Sequence, residues 1–227
     1  MITTDAEVKL ERLVSDTLGI FTIRPEKVVN WIPGMFLQLS LSRKTASEPW
    51  LDSKPFSIAS WGGKELKIIV RREGKFTTSL YQKGSEGFIG TVKYPLGNFY
   101  LNGKMRKFFI AGGAGISVFT SFLDFMIKNG LEEKLYLMHS VKRSSESVSS
   151  LYWFKLPENV TLISNTSRGV HPEGKLPRLT AEDMKGYFDD ANNFQYYLCG
   201  PPGFTKYWME TLGKEKVKVK SESWIIS

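Results

Sequence analysis

Two different hydrophobic patterns divide the sequence near residue 103. From Glu7 to about Leu101, short runs of alternating apolar and polar residues are separated by turn-forming residues, which is typical of antiparallel strands. After Lys104, apolar strands alternate with helical patterns, which favours a parallel, doubly wound sheet. We therefore predict an antiparallel Greek-key β-barrel over residues 1–102, followed by a parallel, doubly wound (Rossmann-like) α/β domain over residues 103–227.

A glycine-rich turn opens the second pattern. The apolar run Lys107–Ala111 predicts a buried strand, and apolar residues at helical spacing predict a helix over Ile116–Asn129. Between them, Gly112-Gly113-Ala114-Gly115 would let a dinucleotide pyrophosphate approach the backbone at a helix N-terminus. The full Gly-x-Gly-x-x-Gly spacing is missing, so the turn alone is a weak signal.

Composition limits the chemistry that the chain can perform. Cys199 is the only cysteine, which excludes an internal disulfide and a cysteine-ligated iron–sulfur cluster within one chain. His139 and His171 stand apart without a carboxylate cluster, so we expect no metal centre. Redox chemistry would then need an organic cofactor. Because no run of 18 apolar residues and no secretory signal occurs, we expect a soluble, cytoplasmic protein without a membrane span.

The formal charge of +8 indicates attraction to an anionic partner: nucleic acid, a membrane surface, nucleotide phosphates or an acidic protein. Much of the excess lies in Lys214–Lys220, where alternating lysines indicate the exposed face of a strand. No interleaved aromatic and basic tract occurs, so we do not expect nucleic-acid binding.

The segment Lys54-Pro55-Phe56-Ser57-Ile58-Ala59-Ser60 gathers a cation, an aromatic ring and two hydroxyls. It resembles the Arg-x-Tyr-Ser-x-x-Ser flavin-binding motif of the ferredoxin–NADP reductase superfamily, which includes flavin reductases and reductase components of oxygenases. Lys54 replaces an arginine and keeps the charge without its bidentate fork, and Phe56 replaces a tyrosine. Taken alone, the segment is also compatible with an ordinary edge strand.

Two further turns resemble the same family. Gly74, Thr77 and Leu80 match the Gly-x-x-Ser/Thr-x-x-Leu turn that the family uses for the flavin pyrophosphate, although a plain capped helix fits these residues as well. The segment Ile110–Ser117 resembles Ala-Gly-Gly-x-Gly-Ile-Thr, with Ser117 in the threonine position.

The most specific match is Cys199-Gly200-Pro201-Pro202-Gly203, a rigid turn without bulky side chains after the predicted fourth strand of the second domain. Near the end of the sequence, Glu222-Ser223-Trp224 resembles the Glu-x-aromatic ending of the family's last strand. A tryptophan packed on the core is the alternative for Trp224.

The resemblance implies a flavin-dependent NAD(P)H reductase without its own iron–sulfur domain, with FAD favoured over FMN. Catalytic roles are implied for Ser57, Cys199 and Glu222. The residues expected to contact the flavin are Lys54, Pro55, Phe56, Ser57, Ser60, Val70, Arg71, Gly74, Lys75, Phe76, Thr77 and Trp224. Those expected to contact the dinucleotide are Gly112, Gly113, Gly115, Ser117, Lys142, Arg143, Ser167, Arg168, Gly200 and Pro201.

The preferred nucleotide follows from Lys142 and Arg143, which come after the predicted second strand of the α/β domain. Cations at this place suit the 2′-phosphate of NADPH and an acid would suit NADH, so we expect NADP(H) over NAD(H). Solvated loop cations are the other interpretation.

Three functions are compatible with these features. The first is hydride transfer from NAD(P)H to FAD, with electrons passed to an acidic carrier protein such as ferredoxin or to an oxygenase component. The second is reduction of free flavin or small oxidants. The third, least favoured, is a basic dinucleotide-fold protein that binds a partner without catalysis.

Overall fold

The computed structural model describes residues 1–101, 105–151, 155–166, 194–214 and 217–223. Of the predicted site residues, Ser167, Arg168 and Trp224 lie outside these ranges. The chain forms two compact units: Met1–Leu101 with Ser117–Lys128, and the described parts of Asn102–Ile116 and Asn129–Ile226. Within the described ranges, no helix has the length and apolar character needed to cross a membrane.

The first unit is built on six antiparallel strands. They are β1 (Ile2–Leu13), β2 (Leu18–Pro25), β3 (Phe36–Ser40), β4 (Ser53–Ser57), β5 (Leu66–Arg71) and β6 (Phe88–Leu96). Helix α1 (Gly74–Glu86) connects β5 to β6, and helix α2 (Ile116–Lys128) groups with this unit from residue 117 onward. The strand order β4-β3-β6-β1-β2-β5 places β4 and β5, which are consecutive in the chain, at the two ends of the sheet.

The two ends of this sheet are linked just after β4, which makes a nearly closed barrel. The Ala59 N–H donates to the Lys67 carbonyl at 2.7 Å, and the Lys67 N–H donates to Ser60 Oγ at 3.0 Å. Inward side chains fill the interior because residues along a strand alternate between its two faces. The barrel core includes Phe21, Ile23, Leu37, Leu39, Ile68, Val70, Leu80, Tyr81, Val92 and Tyr94.

The second unit is a parallel five-stranded sheet. Its strands are β7 (Arg106–Gly112), β8 (Leu135–Val141), β9 (Val160–Thr166), β10 (Phe194–Gly200) and β11 (Lys218–Ser223), in the order β11-β10-β7-β8-β9. Helix α3 (Pro202–Lys214) follows β10. An aromatic cluster packs on the sheet, with Phe108 stacked between Tyr136 and Tyr196 at ring distances of 5.6 and 5.4 Å.

The predicted fold class, an antiparallel barrel followed by a doubly wound parallel sheet, is confirmed. From β7, which lies in the middle of the sheet, the chain adds β8 and then β9 on one side. It then returns to add β10 and β11 on the other side of β7. The boundary at residue 103 stays a prediction. The contacts of α2 group most of this helix with the barrel, although its sequence follows the first strand of the second unit.

Gly34 illustrates how tightly the first unit is packed. Its φ is +90°, and a Cβ added there would overlap the Phe99 carbonyl oxygen and lie 2.7 Å from Phe122 Cζ on α2. Gly62 has a similar φ of +71°, but a Cβ there would meet nothing within 4 Å. The pair therefore separates backbone strain from steric overlap.

We predict that Gly34→Ala destabilises the protein far more than Gly62→Ala. Both substitutions carry the cost of a positive φ, about 1–2 kcal/mol, whereas only Gly34→Ala adds overlap worth a further ~1–3 kcal/mol. Urea unfolding of the two variants measures the difference. Equal losses of stability would show that the barrel relaxes around residue 34.

Candidate functional site

Strand β4 presents the motif that resembles a flavin-binding strand. It lies at the end of the sheet order, where Pro55 is tolerated because an edge strand can dispense with one backbone donor. Ser57 pairs with Phe36 of β3 and is buried, whereas Lys54 and Phe56 are half-buried. The strand therefore offers a cation and an aromatic face that are partly open to solvent.

Phe56 links this strand to the start of α1. Its ring lies 6.1 Å from the ring of Phe76, and both rings pack on the barrel core. Two predicted flavin-contacting residues from different motifs are thus neighbours. The exposed Lys75 belongs to the same turn and adds a positive charge.

The N-terminus of α1 differs from the expected hydroxyl cap. Glu73 is the N-cap residue and makes no side-chain cap hydrogen bond with any described residue. Thr77 lies inside the helix, where its Oγ1 accepts the Glu73 N–H at 2.7 Å and lies 2.6 Å from the Glu73 carbonyl. Gly74 has a φ of +77° and open space around it. The first N–H groups of the helix therefore stay oriented toward any anion bound there.

Three other residues predicted to contact the flavin make hydrogen bonds within the barrel. The Val70 carbonyl accepts the Tyr81 hydroxyl at 2.7 Å, and Arg71 Nη1 donates to Thr17 Oγ1 at 2.9 Å. The buried Ser60 hydroxyl accepts the Lys67 N–H, as described above. Their contacts with a cofactor stay predictions.

The predicted dinucleotide turn lies where the strand order of the parallel sheet reverses. Ligands of such sheets bind outside the carboxyl ends of the strands at this switch point, here between β7 and β10. Gly112 ends β7 and Gly200 ends β10, and a Cβ on Gly200 would lie 3.1 Å from the Gly112 Cα. A Cβ on Gly115 would lie 2.7 Å from the Cys199 carbonyl carbon. A Cβ on Gly112 or Gly200 would also overlap the Phe204 ring, at 2.8 and 2.7 Å, so the glycines let this ring and the two strand ends pack together.

His139 holds this turn through a role that sequence reasoning missed. The ring is buried, with Nε2 3.0 Å from the Gly113 carbonyl and Nδ1 accepting the Val148 N–H at 3.1 Å. Because a carbonyl only accepts hydrogen bonds, Nε2 carries the proton and the ring is in its neutral form. A histidine close to the carboxyl end of a buried strand was the available signal.

His139 also connects the turn to the loop that follows Lys142 and Arg143. Both basic residues are exposed just beyond the end of β8, at the carboxyl edge of the sheet. Over the described ranges, no group of three or more histidine, cysteine or acidic residues could hold a metal ion.

Cys199 and Glu222 occupy neighbouring positions on β10 and β11. Burial, with a smaller contribution from the nearby Glu222 charge, raises the pKa of the Cys199 thiol, so the thiol stays protonated. Burial also raises the pKa of Glu222 to about 7, against a smaller opposing effect of Lys220. Glu222 Oε2 is buried and has no hydrogen-bond partner among the described residues. A polar ligand group would satisfy this atom.

Ser57 and Ser117, which were predicted from two separate motifs, are also brought together. Ser117 Oγ donates to the Ser57 carbonyl at 3.0 Å, and both residues are buried. The Ser117 hydroxyl therefore donates its hydrogen bond to a residue of the first unit.

Family models match both halves of the chain. Residues 3–105 match an FAD-binding domain, and residues 109–209 match an oxidoreductase NAD-binding domain. The barrel and the parallel sheet thus define a flavoprotein that binds FAD and a nicotinamide nucleotide. The chain belongs to the ferredoxin–NADP reductase superfamily.

Individual relatives are similar over nearly the whole chain. A flavohemoprotein of Bacillus cereus (strain ATCC 14579) is 25% identical over 90% of this chain and 56% of its own length. The 2-halobenzoate 1,2-dioxygenase electron transfer component of Burkholderia cepacia is 27% identical over 94% of this chain and 64% of its own length. The chain thus spans little more than half the length of the flavohemoproteins that it matches.

A solved structure, the ferredoxin reductase in carbazole 1,9a-dioxygenase, shares the fold with a TM-score of 0.80 at 15% identity. The alignment covers 99% of this chain and 70% of the reductase chain. Membership in the superfamily favours the reductase prediction over a non-catalytic basic binding protein.

We predict that Glu222 makes stability depend on pH. Its pKa rises from 4.5 to about 7 on folding, so between these values the folded state holds a proton that the unfolded state lacks. The resulting stabilisation of the folded state is complete below pH 4.5 and is lost as the pH rises toward about 7. Urea unfolding at several pH values checks the slope.

In that experiment, Glu222→Gln should flatten the decline in stability across this pH window. The control is Glu210→Gln, which changes an exposed carboxylate on α3 and should leave the slope unchanged. Parallel profiles for the wild type and Glu222→Gln would contradict the assignment.

Proposed function

We propose that the chain accepts hydride from NADPH onto bound FAD and passes the electrons to a protein acceptor. The observation that carries this proposal is the glycine turn Gly112–Gly115 at the switch point of a parallel sheet that matches an NAD-binding family. A turn without side chains in this place is what close approach of a pyrophosphate requires.

The first unit fits FAD through the donors that it exposes. Lys54, Lys75 and the uncapped N-terminus of α1 would hold the pyrophosphate by charge and by N–H groups. Phe56 would pack against the flavin ring, and the Ser57 hydroxyl would hydrogen-bond near N5. When bound, FAD supplies a hydride acceptor that can release electrons one at a time.

The second unit would orient the nicotinamide nucleotide. Lys142 and Arg143 would bind the 2′-phosphate, which supports a preference for NADPH. Glu222 would supply a buried polar atom that can accept or donate a hydrogen bond near neutral pH, according to its protonation. The Cys199 thiol stays neutral and small, so its proposed part is to leave room beside the ring rather than to attack it.

We predict that the purified protein binds FAD and that anaerobic NADPH bleaches the flavin absorbance faster than NADH does. Arg143→Ala should raise the KM for NADPH by roughly 10- to 100-fold, since a hydrogen bond to a charged group is worth about 1.5–3 kcal/mol. The KM for NADH should change little, because NADH lacks the 2′-phosphate.

The matched control for this experiment is Lys134→Ala. Lys134 is exposed and immediately precedes β8, so it lies at the amino end of the strand whose carboxyl end leads to Arg143. A colourless protein that neither binds added FAD nor oxidises either nucleotide would overturn the proposed function. Equal effects of Arg143→Ala on both nucleotides would overturn only the preference for NADPH.

A protein acceptor is favoured by charge and by the relatives. The +8 charge would steer an acidic carrier such as ferredoxin toward the chain. The relative from Burkholderia cepacia is named as an electron transfer component of a dioxygenase, which suggests an oxygenase component as another acceptor. The second candidate is reduction of free flavin, which the Lys-Pro-Phe-Ser variant of the flavin motif favours.

We predict that turnover with an acidic ferredoxin falls as ionic strength rises, because salt screens long-range attraction with a Debye length of about 10 Å at 0.1 M. Turnover with a neutral quinone serves as the control and should change much less. Ferredoxin turnover that is insensitive to salt would remove the support for electrostatic docking and favour small acceptors.

A further inference from the structure

One face of α2 carries buried polar side chains at helical spacing. They are Ser117, Thr120 and Asp124, which stand three and four residues apart and therefore share a face. Each bonds to a main-chain group of the segment Ser57–Trp61, which begins at the last residue of β4, and the bonded groups belong to every second residue. The three partners are Ser57, Ala59 and Trp61.

The first two contacts are hydroxyl-to-carbonyl hydrogen bonds. Ser117 Oγ donates to the Ser57 carbonyl at 3.0 Å. Thr120 Oγ1 lies 2.8 Å from the Ala59 carbonyl and 2.7 Å from the Ser117 carbonyl, so its one proton serves one of these acceptors at a time. Thr120 and Ala59 are both fully buried, which makes water a poor substitute for this partner.

The third contact holds both main-chain groups of one residue. Asp124 Oδ2 accepts the Trp61 N–H at 2.7 Å and the Lys128 ammonium at 2.9 Å. Lys128 Nζ in turn donates to the Trp61 carbonyl, which closes a ring of hydrogen bonds. The Trp61 side chain packs edge-on against Phe125 of the same helix at 4.8 Å.

The barrel itself holds this segment from its other side. The Ile58 N–H donates to the Met35 carbonyl at 3.0 Å, and the Ala59 N–H donates to Lys67 at 2.7 Å. The carbonyls of Ser57 and Ala59 instead meet the side chains of α2. The side chains of the helix thus donate hydrogen bonds to these carbonyls, as the N–H groups of a neighbouring strand would do within a sheet.

We propose that Ser117, Thr120 and Asp124 are positioning residues for flavin binding. By fixing the backbone at alternate residues from Ser57 to Trp61, they set the direction in which β4 ends and hence where the Ser57 hydroxyl is held. This inference rests on the proposed function, in which the segment Lys54–Ser60 contacts FAD.

The test compares Thr120→Val with Thr120→Ser. Valine keeps the shape of threonine and removes the donor, whereas serine keeps the hydroxyl and loses only a methyl group. The dissociation constant for FAD is measured on flavin-stripped protein, together with the flavin reduction rate at saturating NADPH. We expect Thr120→Val to weaken FAD binding by roughly fivefold, as one buried hydrogen bond would, and to slow reduction, with Thr120→Ser restoring both.

Thr205→Val is the matched control. Thr205 is a buried helical threonine whose hydroxyl lies near the carbonyls of Pro201 and Pro202, at the start of its own helix. This variant should lose stability while its FAD affinity stays unchanged. If Thr120→Val does not fold, Ser117→Ala replaces it, with the same expected effect on both readouts.

A lowered unfolding temperature with unchanged FAD affinity and reduction rate would overturn the inference, since the helix face would then serve stability alone. That outcome leaves the proposed function intact, because the wild type still binds FAD and accepts hydride. A wild type that binds no FAD would overturn both.

Discussion

The close approach of two backbone turns is the constraint on which the second unit depends. At the switch point, a Cβ on Gly115 would overlap the backbone of Cys199 and Gly200, and a Cβ on Gly112 would overlap the Phe204 ring. Interiors are packed as densely as organic crystals, so such overlap cannot be absorbed without moving a strand. The absence of side chains allows β7 and β10 to end side by side, and in the proposed function it would also let a pyrophosphate approach the N–H groups of the turn. Packing and recognition therefore impose the same residue type.

Buried polar groups are treated in two different ways around this turn. His139 is fully satisfied, because one ring nitrogen donates to Gly113 and the other accepts from Val148. Glu222 is not, since one carboxylate oxygen is buried without a partner among the described residues. A satisfied ring stiffens the backbone that it joins. An unsatisfied carboxyl costs stability unless a ligand or a proton meets it, so it is the group of the two with room for a functional role.

Much of the fold could be predicted from the sequence because it rests on local patterns. Alternation marked the barrel strands, and apolar runs beside a glycine turn marked the sheet and its first helix. The turn at Gly74 was placed correctly, but its cap was not: Thr77 reaches back to Glu73 from inside the helix instead of preceding it. Hydroxyl residues on both sides of a helix start look alike in a sequence, and only the φ and ψ angles tell them apart.

The polar face of α2 shows why the remaining contacts could not be predicted. Ser117 and Thr120 bond to carbonyls about 60 positions earlier in the chain, and no local pattern records which distant backbone group will meet a given hydroxyl. The sequence does carry a weaker signal: four polar residues interrupt a helix that is otherwise strongly apolar, namely Ser117, Thr120, Ser121 and Asp124. Burying such a group without a hydrogen-bond partner costs roughly 1–3 kcal/mol.

Their presence in a buried helix therefore implies partners, even when it does not identify them. If these positions were apolar, the helix could shift along the barrel surface at little cost, because the hydrophobic effect is not directional. Hydrogen bonds to alternate residues of one segment fix both distance and register. Such a face specifies where a strand lies more than it adds to stability, and the strand that it specifies is the one that carries Ser57.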